Sequence, residues 1–245
     1  MKEFMAKKKI IGTVLFYCTF AMLFIVFAIP AVILALLPTR WRYTNILYGW
    51  GAFICYWFLV KATCLRVIIQ GKEHLPKTSA IFVANHQSLL DIPLFGELAH
   101  GQPHLWLLKE ELKKVPVFGF VVKRIGILVD RRTLGTAVQA LTKSLTIAHS
   151  QLHIMIFPEG GRYVDDTIHP FFSGFAIIAQ KTGRPVIPVY MKNLNKAFPP
   201  YSRWIYNYPV TITIGEPMKM QENENERTFV HRVRQWFEQQ MERSL

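Results

Sequence analysis

Residues 83–93 read VANHQSLLDIP, and the way this stretch is read decides the fold. The apolar run 80–84 stops at Asn85-His86, Asp91 follows five residues later, and Ser88 lies between. A short apolar run bounded by polar residues is the pattern of a buried strand that delivers a loop. Three readings compete: a Ser/His/Asp hydrolase site, a histidine acting directly on a substrate, or a capped helix start. No G-x-S-x-G elbow occurs in the chain, so no strained turn presents a serine. Ser88 is instead expected to open the helix that follows, because serine is favoured at helix N-caps. His86 and Asp91 suit base chemistry, in which a carboxylate orients an imidazole and stabilises its cation. Five residues are about 140° round an ideal helix, so the two meet only if His86 lies in the loop and Asp91 one turn in. Otherwise Asp91 caps a helix starting at Ile92-Pro93. The pair alone leaves both readings open.

Outward from this stretch, short apolar runs alternate with helical patterns. Strands are expected at 65–70, 80–84, 105–108, 127–129, 153–157, 186–190 and 210–214. Helices are expected at 88–98, 118–125, 134–149, 174–182 and 226–243, the last with Phe229, Val233, Trp236, Phe237 and Met241 on one face. Strands separated by helices predict an α/β fold, with a mostly parallel sheet flanked by helices. Three strands run into charged motifs: 80–84 into Asn85-His86, 127–129 into Asp130-Arg131-Arg132, and 153–157 into Pro158-Glu159-Gly160-Gly161-Arg162. Ligands of parallel α/β sheets bind beyond the carboxyl ends of the strands. If these three strands are parallel neighbours, a base, a carboxylate and several arginines meet at one edge.

The chain in front of this domain is different in kind. Residues 10–37 contain no charge over 28 positions, and a spanning helix needs roughly 20. Lys7-Lys8-Lys9 would also suit a secretory signal, but such apolar cores run about 7–15 residues and no cleavage site clearly ends this one. A retained membrane segment is the expectation, kinked at Pro30. A second apolar run, 46–60, would cover about 23 Å as a helix, short of the roughly 30 Å hydrocarbon core. The two therefore form a membrane-embedded two-helix segment that either spans or dips into one leaflet. Trp41, Tyr43, Tyr48, Trp50 and Trp57 suit the water–lipid boundary, and Lys7–Lys9 favours a cytoplasmic N-terminus. The expected division is an anchor at 1–62 and a catalytic domain at 63–245.

Charge and cysteines narrow the partners. The net charge is +13, and the part from Glu216 onward holds five Lys/Arg against six Asp/Glu, so residues 1–215 carry about +14. Beside apolar segments, such a field points to an anionic membrane surface. No zinc-finger or RNA-binding signature supports nucleic acid. Cys18, Cys55 and Cys64 form no CxxC pair or disulfide framework, and no His/Cys/carboxylate cluster has metal-ligand spacing, so no metal is expected. Arg131 and Arg162 follow strands directly and suit bidentate phosphate contacts. Gly160-Gly161 lets backbone approach a ligand. Glu159 either binds substrate hydroxyls or orients an arginine, and Lys109 is a further cation at the site or a solvated lysine.

Taken together, Asn85-His86-x4-Asp91, Val129-Asp130-Arg131, Phe157-Pro158-Glu159-Gly160-Gly161-Arg162 and Val186-Ile187-Pro188-Val189 resemble the glycerolipid acyltransferases. The likeness is greatest to the 1-acyl-glycerol-3-phosphate (lysophosphatidic acid) acyltransferases, including Lys109-Glu-x-Leu and Pro116-x-Phe118-Gly119, and it covers roughly residues 65–215. The resemblance implies that His86 is the general base, partnered by Asp91, for direct attack of a lysophospholipid hydroxyl on an acyl thioester, without an acyl-enzyme. It implies that Arg131, Glu159, Gly160 and Arg162 bind the glycerol phosphate. It implies no cofactor beyond acyl-CoA or acyl-carrier protein as co-substrate, and a membrane location with the site on the cytoplasmic side. Gly161 departs from the Thr or Ser usual in the family, which puts the acceptor headgroup in question more than the chemistry. Acylation of another lysophospholipid or lyso-aminolipid is the alternative within the class. A non-catalytic basic protein that binds anionic lipid is the alternative outside it.

Overall fold

The computed structural model describes residues 2–38, 41–42, 46–115, 118–129, 138, 142, 152–165 and 167–243. The seven expected strands form β1 (Val67–Gln70), β2 (Ile81–Ala84), β3 (His104–Lys109), β4 (Ile127–Val129), β5 (His153–Ile156), β6 (Val186–Lys192) and β7 (Val210–Ile214). They make one sheet in the order β1-β7-β6-β2-β5-β3-β4. The five strands from β6 to β4 run parallel; β7 pairs antiparallel with β6, and β1 runs parallel to β7. Every residue of β2 and β5 is buried, as strands covered on both faces must be, which is why they read as unbroken apolar runs.

Alternation along these strands separates two cores. Ile81, Val83, Ile154 and Ile156 pack with Phe175, Phe229, Val233 and Phe237. Those aromatics come from α5 (Gly174–Thr182) and α7 (Glu226–Glu242). Asn225 caps α7 by accepting from Thr228 N at 2.9 Å. On the other face, Phe82, Ala84 and Met155 pack with Leu90, Leu94 and Phe95, the last two on α3 (Asp91–Glu97). The sheet is thus flanked by helices on both faces. Of the expected helix 134–149, only residues 138 and 142 are described, both helical.

The apolar front forms α1 (Lys2–Leu36), with Pro30 inside it, and α2 (Ile46–Ala62). The stretch Lys9–Leu36 is long and apolar enough to cross a membrane. Neither helix stands apart from the domain. Phe16 of α1 and Val60 of α2 enter the second core. Near the other end of α1, Ala35 O accepts from Arg124 Nη1 at 3.3 Å, and Arg124 lies on α4 (Phe118–Ile125).

Close approach of α2 to α3 depends on Gly96. A Cβ there would lie 2.4 Å from Cε2 of Tyr56. Tyr56 cannot yield easily, because its hydroxyl is held by His104 Nε2 (3.1 Å) and Trp106 Nε1 (3.0 Å). Gly96→Ala is therefore expected to force α2 and α3 apart and to cost about 1–3 kcal/mol. A lower thermal midpoint in detergent micelles is the expected reading, and an unchanged midpoint would refute this account of the contact.

Candidate active site

The site is built where β2 and β5 end. Val83 lies opposite Ile156 in the parallel register, so three residues on, His86 and Glu159 leave the sheet side by side. Asn85 locks the strand end: its Nδ2 donates to Met191 O (2.9 Å) and its Oδ1 accepts from Met191 N (2.7 Å). This fixes where the next residue must point.

His86 sits in the loop and Asp91 is the first residue of α3, the one arrangement in which a spacing of five lets them meet. His86 Nδ1 lies 2.7 Å from Asp91 Oδ2. That oxygen also accepts from Gln87 N (2.5 Å) and Ser88 N (2.8 Å). An oxygen holding two backbone N–H groups acts as an acceptor, so Nδ1 carries the ring proton and Nε2 presents a lone pair. Asp91 is fully buried, and its Oδ1 has no hydrogen-bond partner among the described residues. Phe157 stacks on the imidazole at 4.0 Å and 12°, holding the ring from its face while Asp91 holds its edge.

Ser88 is occupied structurally. Its Oγ donates to Phe198 O (2.7 Å) and accepts from Leu90 N (3.2 Å). These local bonds compete with helical ones, so the helix starts at Asp91 rather than at 88.

The second motif wraps over the first. Gly160 takes a left-handed φ of 66°, which a side chain would resist by about 1–2 kcal/mol, and Tyr163 N then donates to His86 O at 3.1 Å. Glu159 pairs with none of the described arginines and does not line the cavity described below. Its Oε1 accepts from His86 N (3.2 Å) and its Oε2 from His169 N (3.4 Å). Burial pushes its carboxyl up to about 7, against the smaller opposing pull of those two N–H groups. Gly161 leaves room for the Tyr163 ring, which a Cβ would meet at 3.2 Å. That ring stacks on His169 at 3.6 Å, and Asp165 Oδ1 holds His169 Nε2 at 2.9 Å.

His86 opens onto an apolar cavity of about 640 Å³, within the range of roughly 300–1,000 Å³ common for ligand sites. Gly160, Gly161 and exposed Arg162 are among its lining residues. Leu89, Trp106, Leu108, Val122 and Phe175 continue it, and Tyr48, Ala52 and Tyr56 of α2 also line it. Arg162 forms no ion pair with any described residue. Beside the α2 wall, Tyr56 and Trp106 meet His104, which burial pushes down to about 4. Neutral His104 donates from Nδ1 to Gln102 O (3.1 Å) and accepts from Tyr56 at Nε2, so this wall carries no charge.

The three motifs are not all neighbours. β2 and β5 are adjacent, but β3 separates β4 from β5, which corrects the expectation of three neighbouring strands. Lys109 ends β3, opposite Val129. Arg131 and Arg132 lie outside the described residues. The sequence reading missed Phe157 as the ring under His86, although it opens the FPEGGR motif, and missed the Tyr163–His169 stack, which no spacing rule signals. Among the described residues, no three His, Cys, Asp or Glu side chains gather to hold a metal.

A sequence profile of the Acyltransferase family matches residues 66–192. The chain is 33% identical over 154 residues to a chloroplastic 1-acyl-sn-glycerol-3-phosphate acyltransferase of Brassica napus, covering 61% of this chain and 44% of that protein. It is 28% identical over 217 residues to the 1-acyl-sn-glycerol-3-phosphate acyltransferase of Pseudomonas aeruginosa, covering 87% of this chain and 83% of the relative. The chain thus spans less than half the length of the Brassica napus relative. The fold is similar to the crystal structure of the 1-acyl-sn-glycerophosphate acyltransferase from Thermotoga maritima. The TM-score is 0.69 at 24% identity, over 97% of this chain and 96% of that one.

The buried Glu159 carries a pH prediction. Its folded pKa, about 7, lies above its ordinary 4.5. The folded state therefore binds the extra proton between these values, and stability falls as pH rises through that window. Relative to Glu159→Gln, the wild type should lose up to a few kcal/mol between about pH 4.5 and 7. Thermal unfolding of both proteins across that range reads this; parallel curves would show an ordinary carboxyl.

Proposed function

This chain belongs to the Acyltransferase family, and from that premise we propose that it moves a fatty acyl group from an acyl thioester to the free hydroxyl of 1-acyl-glycerol-3-phosphate, giving phosphatidic acid. One observation carries the reading: a carboxylate-held histidine and Arg162 line the same, mainly apolar cavity. The cavity suits an acyl chain, and the arginine suits a phosphate. The names of the relatives give the same acceptor.

In this mechanism His86 Nε2 takes the proton of the acceptor hydroxyl as its oxygen attacks the thioester carbonyl carbon. Asp91 stabilises the imidazolium that forms. The tetrahedral intermediate then collapses, the C–S bond breaks, and the leaving sulfur takes the proton from His86. No acyl-enzyme forms, in keeping with a Ser88 hydroxyl already committed to Phe198. The donor in this scheme is acyl-CoA or acyl-carrier protein. Arg162 binds the acceptor phosphate, with Arg131 and Lys109 as further candidates from sequence. Gly160 and Gly161 bring backbone close to the headgroup, and Glu159 holds the loop that carries them against His86.

Residues 1–62 act as the anchor and 63–245 carry the chemistry, with α2 also walling the cavity. The contacts of α1 favour seating in one leaflet over spanning. Thr13 Oγ1 accepts from Ile205 N at 2.9 Å near one end, and Ala35 meets Arg124 near the other. The 22 residue steps from Thr13 to Ala35 rise about 33 Å. A spanning helix would place these contacts on opposite sides of a roughly 30 Å core, with the domain alongside inside the lipid.

His86→Ala should lower transfer from labelled acyl donor to lysophosphatidic acid by about 10²–10⁴-fold. Wild-type turnover in that variant would end the mechanism, and no turnover in the wild type would end the enzyme reading. Arg162→Ala should mainly raise KM for the acceptor, because it removes binding present in both ground and transition states. A panel of lyso-acceptors in the same assay separates phosphate from zwitterionic or aminolipid headgroups.

A further inference from the structure

The loop that follows α6 (Leu194–Ala197) is exposed and aromatic in a way the chemistry does not use. Tyr201 is 92% exposed, Tyr208 47% and Trp204 43%, and Arg203 is exposed among them. Exposed aromatics in such density mark a contact surface. The loop is clamped onto the N-terminal end of the apolar stretch of α1. Lys9 Nζ sits 4.4 Å from the Tyr206 ring centroid and 5.0 Å from that of Trp204. Ile205 N bonds Thr13, and Phe198 packs edge-on against Phe16 at 5.9 Å.

We propose that the 201–208 loop is a second membrane anchor, which seats Tyr201, Trp204 and Tyr208 at the headgroup level of an anionic bilayer beside α1. The helix it is clamped to also presents an apolar outward face, where Ile10, Ile11, Val14, Ile25 and Ile29 are all at least half exposed. Tyrosine and tryptophan gather at the water–lipid boundary because one part of each ring system is apolar and another polar. Lys9 and Arg203 add the cations that anionic headgroups attract. The loop has a mechanical consequence for the site. Phe198, three residues before the loop, accepts from Ser88 Oγ, and Ser88 N donates to Asp91, so one hydrogen bond joins the chain leading into the loop to the catalytic turn. An anchored loop therefore sets the height of His86 above the lipid plane.

The inference rests on the one-leaflet seating of α1 and α2, and the experiment reads that separately. Cys18, Cys55 and Cys64 are replaced by alanine in the full chain, and single cysteines are introduced by Tyr201→Cys, Ile29→Cys or Gln235→Cys. Each is labelled with an environment-sensitive fluorophore and reconstituted into phosphatidylcholine/phosphatidylglycerol vesicles. Gln235 lies exposed on α7, across the sheet from α3. The expected result is that the label at 201 is quenched by lipids spin-labelled near the headgroup and shielded from aqueous iodide at least several-fold relative to 235. Label 29 should be quenched by spin labels deeper in the chains. If 201 is as open to iodide as 235 while 29 is quenched by lipid, the loop is no anchor although the seating stands. If 201 is shielded from iodide without lipid quenching, it is covered by protein, a second copy of the chain included, and the proposal fails. If lipid reaches 201 but not 29, the seating of α1 falls, and with it a second anchor placed beside α1. If it reaches neither, both fall.

Discussion

The buried carboxylate of Asp91 is the constraint on which the site depends. One oxygen takes the His86 imidazole and the backbone N–H groups of Gln87 and Ser88. A carboxylate with no exposure is costly unless it is bonded, so the loop around it has little freedom to rearrange. The same bonds that fix the histidine's tautomer also decide where α3 begins. Stability and chemistry are therefore not separable here. The turn that satisfies the buried charge is the turn that aims Nε2 into the cavity.

Around this centre, three layers of support come from distant parts of the chain. Asn85 ties the end of β2 to Met191 on β6, Phe157 at the end of β5 lies under the imidazole, and Glu159 bonds the backbone of His86 itself. Each belongs to a strand adjacent to β2 or to the loop leaving it. A parallel register brings the ends of such strands to one level, so a motif on one strand is read against a motif on its neighbour. That is why two short motifs some 70 residues apart act as one site.

The helices at the front do more than present an apolar surface. Tyr48, Ala52 and Tyr56 line the cavity, and Tyr56 reaches Trp106 and neutral His104 behind its wall. The polar groups there satisfy one another with a set donor order, so an apolar ligand meets no uncompensated charge. The cavity that the chemistry requires is thus shared between the sheet domain and a segment whose composition belongs to lipid.

Local patterns were enough for much of this. Every strand was legible as an apolar run, α7 as a 3.6-residue stripe, and the α/β class as their alternation, because these follow from which face each residue must bury. The pairing of His86 with Asp91 was legible as a possibility, and the company of FPEGGR turned it into an expectation. Three things were decided only in the folded chain. β3 lies between β4 and β5, which no local period encodes, since strand order depends on crossovers. Glu159 came to accept from the backbone amides of His86 and His169, which only the fold brings to it. Tyr163, stacked on His169, came to fill the space a side chain at Gly161 would need. Sequence determines which faces are apolar and which residues end a strand; neighbours across the sheet are settled by register and burial, which act between residues far apart in the chain.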